Sequence, residues 1–98
     1  MIRSFGCPYT EAVMNSESPR RFPPDIIRAA YRKLVALANA HDITDMAVPP
    51  ANRLEKLNHP KGYWSIRINQ QWRIVFRWDS GVADAVKIVD YHSGKGKI

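Results

Sequence analysis

Between Trp64 and Tyr91 the sequence alternates apolar and polar side chains with a period of two, which restricts this stretch to a sheet with one covered and one open face. Trp64, Ile66 and Ile68 share one side of the first run, opposite Tyr63, Ser65, Arg67 and Asn69. After the polar link Asn69–Gln70–Gln71 the pattern resumes, with Trp72, Ile74, Phe76 and Trp78 opposite Arg73, Val75, Arg77 and Asp79. Asp79–Ser80–Gly81 marks a second turn, and a third run from Ala85 to His92 sets Val86 and Ile88 against Lys87, Val89 and Tyr91. Runs this close in sequence pair as antiparallel hairpins. Arg53–Leu54–Glu55–Lys56–Leu57 is expected to pair on to them.

The N-terminal half carries a different period. Pro23–Pro24–Asp25 is a helix start, because proline suits the first turn and Asp25 complements the positive end of the helix dipole. Ile27, Ala30, Tyr31, Leu34, Leu37 and Ala38 then follow an i, i+3, i+4, i+7 stripe that predicts an amphipathic helix from about Pro24 to Asn39. A shorter helix is expected over Thr10–Met14, and Met1–Phe5 reads as a short first strand stopped by Gly6 and Pro8. Val48–Pro49–Pro50 is expected to be extended. Helices followed by an antiparallel meander make an α+β domain. The helices cover the Trp/Ile/Phe face, which leaves Arg67, Arg73, Arg77, Lys87 and Tyr91 on the open one. With 98 residues the chain is expected to form one domain over 1–92, followed by a tail over 93–98.

Fifteen Lys and Arg against nine Asp and Glu give a net charge of +6, a field that favours polyanions such as nucleic acid, the ribosome or an acidic protein. The three tryptophans resemble a base-stacking platform, but they share their face with Ile66, Ile68, Ile74 and Phe76 and so belong to the core. Cys7 has no partner for an internal disulfide, and the three histidines have no zinc-ligand spacing, so no metal or other cofactor is expected. His41, just after the main helix, is expected to meet its last carbonyls, and His59 belongs to a loop. No apolar run approaches a membrane span and the N-terminus lacks the apolar core of a signal peptide, so a soluble cytoplasmic protein without membrane contact is expected.

Six segments, in order, resemble the HigB-type toxins of the RelE/ParE toxin–antitoxin superfamily. They are Met1–Phe5, Phe22–Ile26, Val48–Glu55, Ser65–Asn69, Gln71–Trp78 and Ile88–His92. The resemblance implies a RelE-like, microbial-ribonuclease-like fold with two helices on one face of a curved antiparallel sheet. It implies an mRNA endoribonuclease acting in the A site of the 30S ribosomal subunit. A helix-turn-helix antitoxin of the HigA type is implied as partner, with operator DNA reached only through that antitoxin. The family's strand arginine falls on Arg73 and its C-terminal Asp-Tyr-His on Asp90, Tyr91 and His92, while a further charged position falls on Glu55 or Lys56. Arg53, Lys56, Lys61, Arg67, Arg77 and Lys87 complete the expected set as contacts to RNA and ribosome.

The chemistry asks for such residues independently. Metal-free RNA cleavage uses the substrate 2′-OH as nucleophile and needs a base, a cation for the phosphorane and an acid for the leaving 5′ oxygen. Arg73 suits the cationic role, and the base and acid lie among His92, Tyr91 and Glu55. Two other functions fit the composition: a ParE-like toxin that binds DNA gyrase without catalysis, and a basic RNA-binding module without activity. The Asp90–Tyr91–His92 cluster favours the ribonuclease, because neither alternative needs proton transfer.

Overall fold

The helix that opens at Pro24 places one proline in its first turn, where the missing N–H costs nothing, and Asp25 beside the exposed amides. In the computed structural model, which describes residues 1–91, this helix, α2, runs Pro24–Asn39 after a short α1 over Pro8–Met14. The side chains it buries are Ile26, Ala30, Leu34 and Leu37. The buried stripe is therefore rotated slightly from the sequence expectation: Ile26 belongs to it and Tyr31, at 38% exposure, lies outside it. The helix end is closed by Asn39, whose Nδ2 donates to the Val35 carbonyl. His41 does not serve there, and its own N–H donates to Asp45.

Two 3-10 turns, Ile43–Ala47 and Pro50–Asn52, carry the chain to the sheet. Pro49 is extended, as its neighbourhood requires, but Pro50 already begins the second turn. The sheet comprises β1 (Glu55–Lys56), β2 (Tyr63–Arg67), β3 (Trp72–Asp79) and β4 (Val82–Asp90), in that spatial order and antiparallel throughout. The α+β architecture is as expected, and Trp64, Trp72 and Trp78 pack against a core formed by Leu34, Leu37, Met46, Ile66, Ile74, Phe76 and Val86 with their neighbours. Phe22 meets Trp72 edge to face at 5.6 Å, which ties the segment before α2 to the sheet.

β4 starts three residues earlier than its alternation suggests. The register slips by one residue between Val75 and Arg77, and Ala85 has φ 52°. This bulge puts Ala83 and Val86, three residues apart, both into the core. A period-two reading cannot cross such a site.

The N-terminal segment forms isolated parallel bridges to β4, Ile2 with Ala83 and Phe5 with Val86, rather than a regular strand. Its backbone hydrogen bonds run from Arg3 N to the Ala83 carbonyl and from Gly6 N to the Val86 carbonyl, with Ala83 and Val86 donating back to Met1 and Ser4. Further along, the buried Thr10 hydroxyl of α1 accepts the N–H of Ile88. Together these groups cover the outer edge of β4, which otherwise presents a row of unpaired donors and acceptors.

Asp84 anchors the same segment from the side. Arg3 donates to it through Nε at 2.9 Å and through Nη2, Ser4 Oγ donates at 3.1 Å, and Arg77 lies 3.6 Å away. The Arg3 hydrogen bond above all holds the Asp84 carboxyl below its ordinary value of 3.8. A carboxylate depressed in the folded state stabilises fully above its unfolded value and loses that contribution as pH falls through the folded one. Asp84→Asn is therefore expected to lower the urea midpoint at neutral pH, and to converge with the wild type as pH falls below the ordinary carboxylate range. Parallel denaturation series across that range check it.

Candidate functional site

Alternation along β2 and β3 puts Ser65, Arg67, Arg73, Val75 and Arg77 on the side of the sheet away from the helices, and the register pairs Ser65 with Val75 and Arg67 with Arg73. Glu55 lies opposite Ser65 on β1, Lys87 opposite Val75 and Val89 opposite Arg73 on β4. The face is not the fully solvated one expected of a half-covered sheet. Val75, Val89, Ser65 and Arg73 are all buried, Arg73 at only 8% exposure.

Arg73 is the centre of this arrangement. Its Nε donates to Ser65 Oγ at 3.0 Å and its Nη2 to the Arg53 carbonyl at 2.8 Å, and Nη2 lies 3.2 Å from Glu55 Oε1. The Tyr91 ring lies against the guanidinium, 5.7 Å from Cζ to the ring centroid. Burial lowers the Arg73 pKa, while Glu55 and Tyr91 work to raise it and Arg67 and Arg53 lower it further. A guanidinium starts so far above neutrality that it keeps its charge regardless. Glu55, with 59% of its side chain exposed, is open to solvent where it meets Arg73.

Of the expected catalytic residues, Arg73, Glu55 and Tyr91 come together. Asp90 does not join them: it pairs in register with Trp72, which places it on the helix side of the sheet, where its Oδ2 accepts from Gln71 Nε2 at 3.2 Å. The reason is the strand period itself, since consecutive residues at the end of β4 point to opposite faces. His92 lies outside the described residues, as does the tail 93–98.

The expected cationic contacts divide in the same way. Arg67, Arg77 and Lys87 share the Arg73 face, with Arg77 held toward Asp84. Arg53 contributes its backbone to the site. Lys56, one residue beyond Glu55, points to the other side, where its Nζ sits 5.8 Å from the centroid of the Trp64 ring. Together with Lys61 and Trp78 it lines a separate cleft at the sheet's β1 edge. His41 and His59 lie in connections between elements.

Ser65 and the Arg53 carbonyl are the parts that sequence reading passed over. The alternation does put Ser65 on the same face as Arg73, and a small hydroxyl inside an otherwise bulky strand signals a neighbour in need of an acceptor. A backbone carbonyl leaves no such mark. Arg53 adopts φ 45°, a left-handed conformation uncommon for a residue with a side chain, at the end of the Pro50–Asn52 turn. The preceding Asn52 is buried, with Nδ2 donating to the carbonyls of Met46 and Val48 and Oδ1 accepting from Lys33.

Among the described residues no helix is long and apolar enough to cross a membrane. A family model described as a RelE-like toxin of the type II toxin–antitoxin system HigB matches residues 5–92. Toxin HigB-1 of Vibrio cholerae serotype O1 is 45% identical over 65 residues, which span 65% of this chain and 68% of that protein. An uncharacterized protein of Haemophilus influenzae is 30% identical over 74 residues, 74% of this chain and 72% of its own length.

Proposed function

Because the chain belongs to the HigB family of RelE-like toxins of type II toxin–antitoxin systems, we propose that it cuts mRNA in the A site of the small ribosomal subunit, without a metal, through the 2′-OH of its own substrate. The observation that carries this reading is the meeting of Arg73, Glu55 and Tyr91 on one face of the sheet. Glu55 approaches the guanidinium from the β1 side and Tyr91 from the end of β4, so that groups able to exchange protons flank a fixed cation. In-line displacement needs that disposition. The 2′-OH gives its proton to the base, O2′ bonds to phosphorus, and the bond from phosphorus to O5′ breaks as the acid protonates O5′. The products are a 2′,3′-cyclic phosphate and a 5′-hydroxyl. Arg73 compensates the charge that builds on the non-bridging oxygens, and Glu55, Tyr91 and His92 supply the base and the acid.

As a toxin of a type II system the protein has an antitoxin for its partner. We take that antitoxin to be a helix-turn-helix protein of the HigA type, through which alone the pair reaches operator DNA, and the site of action to be the cytoplasm, where ribosomes and message meet. Arg67, Arg77 and Lys87 on the Arg73 face are suited to the phosphate backbone, as are Arg53, Lys56 and Lys61 around the β1 edge. The domain proper is taken as 1–92, with 93–98 as a tail. Inducing the chain without its antitoxin is expected to arrest bacterial growth, with new RNA 5′ ends inside translated regions. Intact messages accompanied by DNA double-strand breaks would point instead to gyrase.

A further inference from the structure

A guanidinium carries five N–H donors in a rigid plane, and how many remain for a substrate depends on what the protein takes. In Arg73 the single Nε–H goes to Ser65 Oγ, and Nη2 donates to the Arg53 carbonyl and forms an ion pair with Glu55 Oε1 3.2 Å away. Among the described residues no partner takes Nη1. The Tyr91 ring centroid lies 5.7 Å from Arg73 Cζ, and the buried Val89 is the register partner of Arg73 on β4.

We propose that Ser65 and the Arg53 carbonyl are positioning groups that lock the Arg73 guanidinium so that its Nη1 end alone is offered to the scissile phosphate. The inference rests on the ribonuclease reading above. A flexible surface arginine meets phosphate with either edge of its fork and must be ordered at each encounter. Here the ordering is done by the fold. Ser65 Oγ comes from β2, whose register with β3 is set by five residue pairs with Ser65–Val75 at their centre. The Arg53 carbonyl is turned toward the sheet by the left-handed backbone at that residue. Asn52 pins the turn before it from inside the protein, and Lys33 ties Asn52 to α2. The donor geometry at Arg73 is thus transmitted from the helix layer to the opposite face of the sheet. Preorganised donors of this kind cost no reorganisation at the moment of reaction.

The test combines exchange and kinetics on the full chain. In the wild type the Arg73 Nε–H resonance should be protected from solvent exchange. Ser65→Ala should expose it and lower kcat on programmed ribosomes by roughly tenfold with KM unchanged, and Ser65→Thr, which keeps the hydroxyl, should restore both. In an Arg73→Lys background, which has no Nε–H in that geometry, Ser65→Ala should have no further effect. Rapid exchange of the Arg73 Nε–H in the wild type overturns the proposal whether or not a variant folds. So does wild-type kcat in Ser65→Ala, or the same loss repeated in the Arg73→Lys background. If the wild type itself leaves ribosome-bound message intact while the Nε–H is protected, the ribonuclease reading fails and this role fails with it.

Discussion

Replacing Arg73 by alanine is expected to lower the rate of message cleavage on the ribosome by about 10²–10³ and to release the growth arrest, the scale of loss found when one preorganised donor is removed from a developing oxyanion. Arg73 is also a structural residue, buried and hydrogen-bonded through two of its nitrogens. Alanine leaves the Ser65 hydroxyl and the Arg53 carbonyl without their charged partner, a further cost of about 1–3 kcal/mol in stability. Circular dichroism and thermal unfolding must therefore accompany the kinetics. Arg73→Lys separates charge from geometry, since an ammonium keeps the former and lacks the planar fork. His41→Ala and His59→Ala, exposed residues in connections between elements, should stay within about 0.5 kcal/mol of wild-type stability and keep full toxicity. Full cleavage by a folded Arg73→Ala protein would remove the proposed centre from the chemistry.

A second large difference is expected between free and ribosome-bound RNA. One fixed cation flanked by Glu55 and Tyr91 has little with which to align the 2′-OH, the phosphorus and the leaving oxygen, and that alignment is worth several orders of magnitude. A programmed ribosome holds the message in place and supplies it. The net charge of +6 provides attraction to ribosomal RNA, so binding should weaken steeply as salt rises. Purified protein is expected to cut message on programmed ribosomes and to leave the same RNA in solution essentially whole over the same interval. Equal rates on both substrates would make it a stand-alone ribonuclease.

The α+β class and the sheet order follow from local rules that each stretch of sequence obeys by itself. Period two between Trp64 and Tyr91 made strands, the Asn69–Gln71 and Asp79–Gly81 links made hairpins, and the proline-started stripe made α2 over the expected residues. The face assignments follow from the same rule, and with them the placing of Arg73, Arg67 and Lys87 away from the helices. The rule stops where backbone geometry departs from regularity. The bulge at Ala85 shifts the period of β4, and the left-handed turn at Arg53 brings a carbonyl to the site.

Sequence by itself determined α2, the strands β2 and β3 and, wherever the period of two runs unbroken, which side of the sheet each side chain takes, because those choices depend on neighbours a few positions away. Only the tertiary structure decided that Arg73 is buried and clamped rather than solvated, and that Glu55 and Tyr91 close on its guanidinium. Those outcomes depend on how segments as far apart as Arg53, Ser65 and Tyr91 meet in space. Burial, hydrogen-bond saturation and the direction of a backbone carbonyl are properties of that meeting, and no single segment encodes them.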